Sequence, residues 1–192
     1  MRTVPSAGAL LLITLISVSP AHAECEVPNF RSFEHVRWSV GDPLHYDDAK
    51  YGFAIPFHAH HAKGTFYVYD FNVSDPTSRD ADEQLSRAVY EVDYLTQKLI
   101  PGTKLSDPYL VPQEYYGGSA IVGNAVYFVT SFEATNTVTI ASMGLLHGCF
   151  HKIRYTQPVS STDPTDVVDG LTGFSDLVHS MQEALLKTGY VQ

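Results

Sequence analysis

Along the chain the apolar positions change period several times, and each change marks an element. From Tyr51 to His58 the residues alternate, with Phe53, Ile55 and Phe57 on one side, as a half-buried strand requires. Pro56 has no N–H for a ladder, which places this strand at or near a sheet edge. Residues 59–64 read as a loop and 65–71 as the partner strand of a hairpin. In that second strand Tyr67, Tyr69 and Phe71 oppose Phe66 and Val68, so both faces are apolar and the strand is expected to be central.

Asp75-Pro76-Thr77-Ser78 breaks the sheet pattern, and Asp80 with Glu83 three residues on resembles a capping box. Leu85, Ala88, Val89, Val92, Leu95 and Leu99 then recur at helical spacing, predicting a helix that Pro101-Gly102 ends, with Arg87, Glu91 and Lys98 on its outer face. Strand patterning returns at 109–111, 119–132, 137–146 and 149–155, punctuated by Gly117-Gly118, Gly123-Asn124 and Ala134-Thr135-Asn136. Asp163-Pro164 supplies an N-cap and a first-turn proline for a long amphipathic helix that runs from Val167 through Leu185 and stops near Gly189. Before the first strand, Pro28, Phe30, Phe33 and Trp38 follow no period and predict an irregular segment packed on the domain. Helices separated from runs of strands, without βαβ alternation, indicate an α+β fold: an antiparallel β-sheet layer packed with two main helices.

The first residues have a different character. Arg2, the apolar run Ala9 to Ile16 and the small residues of Pro20-Ala21-His22-Ala23 have the form of an export signal cleaved after Ala23. Thr14, Ser17 and Ser19 interrupt the run before it reaches the about 20 apolar residues that cross a bilayer. The division expected is therefore a signal peptide at 1–23 and one domain at 24–192, in a periplasmic or secreted protein without an integral membrane segment. About 170 residues suit a single core. Cys25 and Cys149 both fall in that part, and an oxidising compartment makes a disulfide between them the expectation, with two free thiols as the alternative. The formal net charge of −9, with Lys and Arg scattered, argues against nucleic acid as a partner. Asn72-Val73-Ser74 matches a glycosylation sequon.

Three segments carry the likeness to known proteins: Tyr51-Gly52-Phe53-Ala54-Ile55-Pro56-Phe57, Gly64-Thr65-Phe66-Tyr67-Val68-Tyr69-Asp70 and Phe150-His151-Lys152-Ile153-Arg154-Tyr155. With the signal sequence, they resemble a group of small exported bacterial proteins. Their arrangement is similar to the fold shared by the photosystem II extrinsic protein PsbP and the Ran-binding protein Mog1. The resemblance implies a PsbP/Mog1-like architecture and a binding or assembly role rather than catalysis, and it carries no functional residue across.

Candidate chemistry falls in four places. Were 143–151 one continuous strand, Met143, His147, Cys149 and His151 would share a face, a donor set suited to copper(I), or to zinc through thiolate and imidazole; Gly148 is the point where that continuity would break. His58, His60 and His61 form a second possible copper or zinc set in the hairpin loop, beside the plain reading of a solvated loop tip. Cys149 with His147 or His151 has the residue types of a thiol nucleophile and base, without a legible orienting group. Tyr109, Tyr115-Tyr116 and Tyr127 offer rigid surfaces with polar tips, and Tyr115 and Tyr116 are the pair chosen for a partner contact. No serine-hydrolase elbow, phosphate loop or dinucleotide fingerprint is present. The function expected is that of an exported, non-enzymatic binding or accessory protein for a protein or small ligand. A copper- or zinc-binding protein is the rival reading, and a small hydrolase or thiol enzyme the third.

Overall fold

In the computed structural model, which describes residues 25–30, 33, 35, 37–133 and 135–192, the expected hairpin sits inside a single antiparallel sheet. The elements follow in chain order: β1 (Ser39–Val40), β2 (Leu44–His45), β3 (Phe53–His58), β4 (Lys63–Tyr69), α1 (Ser78–Leu99), β5 (Lys104–Leu105), β6 (Tyr109–Leu110), β7 (Asn124–Phe132), β8 (Thr135–Leu146), β9 (Cys149–Val159) and α2 (Pro164–Lys187). Across the sheet the order is β1-β3-β4-β9-β8-β7-β5, with β2 also on β3 and β6 also on β7. Strand β4, apolar on both faces, is central, between β3 and β9. Pro56 lies one strand in from the edge, where the outer neighbour of β3 splits into β1 and β2. The export signal and its cleavage point fall in residues 1–24, outside the described residues.

The two helices take opposite faces because the strands alternate. Phe53, Ile55, Phe57, Phe66, Val68, Ile140, Ile153 and Tyr155 meet Val167, Leu171, Phe174, Leu177, Val178, Met181 and Leu185 of α2 in one core. On the reverse face Tyr69, Val126, Phe128, Ala141, Met143 and Phe150 meet Ala81, Leu85, Ala88 and Val92 of α1 in another. The irregular N-terminal segment completes the α2-side core. Phe30 packs edge-on to Phe57 and Phe66 at 5.1 and 5.8 Å between ring centroids, and Trp38 meets Tyr155 at 6.1 Å. Gly170 lets α2 approach β8 closely, since a Cβ there would lie 2.9 Å from Cβ of Val138.

Several boundaries differ from the sequence expectation for local reasons. The N-cap of α1 is Thr77, not Asp80: its hydroxyl accepts from the Asp80 N–H at 3.4 Å, and the Asp80 carboxylate accepts from the Thr77 N–H at 2.7 Å. Asp80 is thus the third residue of the box. The strand expected from Ser119 starts only at Asn124, and Tyr109-Leu110 pairs for just two residues. Between β8 and β9, His147 (φ 54°) and Gly148 (φ 74°) form a two-residue turn whose left-handed backbone matches the twist of the flanking strands.

Cys25 and Cys149 are joined by a disulfide across 124 residues of sequence, which fits a protein of an oxidising compartment. Among the described residues no helix is long and apolar enough to cross a membrane.

Candidate functional site

The α1 side of the sheet is only partly covered. The helix lies over β7 and β8, and the floor beside it is formed by alternate residues of β4 and β9. Register places Tyr67 opposite Lys152, and Thr65 opposite Arg154, so these side chains share the α1-side face. Arg87, Glu91 and Leu95 of α1 form one wall of the resulting cleft, and Tyr46, Tyr51 and Phe71 the other, around a cavity of about 480 Å³. On the opposite face of the sheet Phe30 packs over Phe57 of β3 and Phe66 of β4 and borders a separate cavity of about 580 Å³.

The cleft is aromatic and cationic. Tyr51 and Phe71 pack edge-on at 5.6 Å, Tyr46 and Tyr51 at 6.4 Å, and Tyr69 and Phe71 at 6.2 Å between ring centroids. The Lys152 ammonium stands 4.7 Å from the Tyr67 ring centroid and 5.9 Å from that of Tyr69, while the Arg87 guanidinium lies 5.6 Å from that of Phe71. These are cation–π distances, and they hold the charged groups over the rings. Among the described residues the one carboxylate lining the cleft is Glu91, which accepts from Lys152 at 3.4 Å. Among the described residues Arg87 and Arg154 make no ion pair. Lys50, over the Tyr51 ring at the rim, is neutralised by Asp48 at 2.8 Å. The phenol of Tyr69 points down to the Met143 sulfur at 3.8 Å; burial raises its pKa above the usual tyrosine range, and the Glu91 charge adds to the shift. At the rim, burial also raises Tyr46, with Tyr67 and Glu91 contributing.

The other sequence candidates take different positions. Met143 faces α1 while Cys149 and His151 face α2, because the His147-Gly148 turn ends β8 before β9 begins. That four-residue donor set does not converge, and Cys149, being bridged, is neither a thiolate ligand nor a nucleophile. His147 and His151 instead hold the C-terminal segment. The His147 Nε2–H donates to the Tyr190 carbonyl at 2.6 Å. The fully buried His151 donates from Nδ1 to the Cys149 carbonyl at 3.0 Å and accepts at Nε2 from the Tyr190 hydroxyl at 3.0 Å. Burial drives the His151 pKa down to about 4, outweighing its hydrogen bond to Cys149, and burial raises Tyr190 to about 12.

His58 closes β3, and His60 and His61 occupy the exposed tip, their rings edge-on with centroids 4.0 Å apart. Among the described residues no three His, Cys, Asp or Glu side chains are grouped so as to hold a metal ion. Tyr116, chosen with Tyr115 for a partner contact, is 6% exposed and belongs to the α2-side core, with Tyr115 half-buried against it. The turn at 113–115, which ends in Tyr115 and leads into Tyr116, packs on α2. Tyr109 and Tyr127 form a stacked cross-strand pair with centroids 5.3 Å apart, lining a second groove between β5–β7 and α2.

Sequence reasoning passed over the cleft because its parts lie far apart in the chain. One local signal for it exists: in Lys152-Ile153-Arg154-Tyr155 the two cations fall on one face of the strand while Ile153 and Tyr155 fall on the other. No family model matches this chain, and no curated protein matches it.

Proposed function

We propose that this chain is an exported, non-enzymatic binding or accessory protein and that the cleft beside α1 takes its ligand. A single observation carries the reading: beside α1 the sheet is left uncovered, and tyrosines of the floor and far wall meet three cations around one cavity of about 480 Å³. Tyrosines give rigid contact area with polar tips at low entropic cost, and a concave site with a few convergent polar groups is the usual form of a ligand pocket. The layering of helix, sheet and helix fits a PsbP/Mog1-like architecture, with its binding or assembly roles. A shared fold does not fix function, so the cleft and not the likeness bears the weight.

The test is a fragment screen read by the resonances of Tyr46, Tyr67 and Tyr69 in the folded protein, repeated on Tyr67→Ala. Ligands that shift these tyrosines and lose affinity in the variant support the reading. Hits that shift only residues of the α2 face overturn the placement of the site. Turnover of any compound that vanishes with one side-chain replacement overturns the non-enzymatic role.

A further inference from the structure

Resting on the cleft as the binding site, we infer that its ligand is a small acid: a flat or ring-shaped body laid on the tyrosines, with an oxyanion held by Arg87, Lys152 and Arg154.

The argument begins with charge. The protein carries a formal net charge of −9, with 12 Lys and Arg against 21 Asp and Glu. Such a molecule repels an acid over most of its surface. Three of those cations nevertheless line one cavity, against the single carboxylate of Glu91. Neither guanidinium has a carboxylate partner among the described residues, and while Arg87 is exposed, Arg154 is partly withdrawn from solvent.

The disposition of the cations adds to this. Arg154 is half-buried on the floor, and the Lys152 side chain is 18% exposed. Partial burial of an unpaired guanidinium is costly, and an arriving oxyanion offsets that cost. A guanidinium presents a planar fork of N–H donors that matches a carboxylate, sulfate or phosphate, while an ammonium supplies a compact charge. The ion pair that the described residues make inside the cleft, Lys152 to Glu91, is long at 3.4 Å, and Glu91 is 59% exposed, so its carboxylate can swing to solvent and leave Lys152 to the ligand. Glu91 is then a competitor for the site.

Size limits the ligand. About 480 Å³ accommodates one or two rings and their substituents. With cations already lodged over the Tyr51, Tyr67 and Phe71 rings, the ligand body is left Tyr46 and the ring faces those cations do not cover.

Two pairs of probes matched in shape and differing in charge test the idea: benzoate against benzyl alcohol, and glucuronate against glucose. Binding is followed by calorimetry and by the cleft tyrosine resonances at low ionic strength. The acid of at least one pair is expected to bind about tenfold tighter than its neutral partner, a preference of about 1.4 kcal/mol. Arg154→Gln is expected to abolish the preference, and Glu91→Gln to tighten the acid several-fold while leaving the neutral compound unchanged. Equal binding of acid and neutral compound at the cleft overturns the acid specificity and leaves the cleft as a binding site. No shift of the cleft tyrosines with any probe overturns this inference, and the fragment screen then decides the fate of the cleft separately. Affinity for acids that survives Arg154→Gln and Arg87→Gln together also overturns it.

Discussion

Acid should destabilise this protein well before its carboxylates protonate, and His151 is the reason. Its imidazole is fully buried against Phe66, with both nitrogens satisfied in the neutral form. Its folded pKa is about 4 against an ordinary 6.5. The unfolded chain therefore binds more protons than the native state between those values, and stability rises with pH across that window and falls as pH drops through it. Native stability is fully present above pH 6.5, and the deficit reaches about 2 kcal/mol by pH 5 and about 3 kcal/mol near pH 4. Urea unfolding followed by Trp38 fluorescence, at steps between pH 7 and pH 5, measures it directly. In His151→Gln, whose side chain does not titrate and can still accept from Tyr190, the absolute stability falls but the slope over this range should flatten. Asp48 and Asp80, held below the ordinary carboxylate range by hydrogen bonds from Lys50 and Thr77, lose their contribution only at lower pH. If wild type and His151→Gln show the same slope between pH 7 and 5, the assignment of acid sensitivity to this residue is refuted.

Other outcomes follow from the same structure. Replacing Cys25 and Cys149 together by alanine opens a loop of 124 residues and should cost up to about 5 kcal/mol in the chain-entropy model; an unchanged urea midpoint would show that the bridge does not constrain the unfolded chain. Gly170→Ala places a Cβ 2.9 Å from Val138 Cβ at the closest approach of α2 to β8 and should lower stability by about 1–3 kcal/mol, visible as a lower thermal midpoint. Thr77→Ala removes one half of the capping box and should cost about 1 kcal/mol by chemical denaturation, with Thr77→Ser restoring most of it.

Where local chemistry decides an element, the sequence was legible. The alternation of Phe53, Ile55 and Phe57 marked a strand, the two-faced apolar character of 65–71 marked a central one, and Pro101-Gly102 ended α1. The start of α1 lay three residues earlier than expected because two acidic residues, Asp80 and Glu83, offered competing third positions for a box, and only one has Thr at its head. Strands β1, β2, β5 and β6 are too short to show any period; they exist because longer neighbours offer free ladder groups. Tyr115-Tyr116 looked like a surface loop beside Gly117-Gly118, but burial depends on what α2 brings over it. The cleft was hidden for a related reason. Tyr46, Tyr67, Arg87 and Arg154 belong to four segments that only the strand order brings together, and strand order depends on long-range pairing rather than on local patterning.

The short strands at both margins have a consequence for how other chains can meet this one. One edge is made of β1 and β2, separated by Gly41-Asp42-Pro43; the other is made of β5 and β6, separated by Ser106-Asp107-Pro108. Among the described residues each margin is thus two fragments of two residues with a proline between them. A strand donated by a second molecule finds neither a long row of unpaired N–H and C=O groups nor a flat rim along which to zip. Growth of the sheet from copy to copy is interrupted on both sides. Any partner is left to bind through side chains on the faces of the molecule.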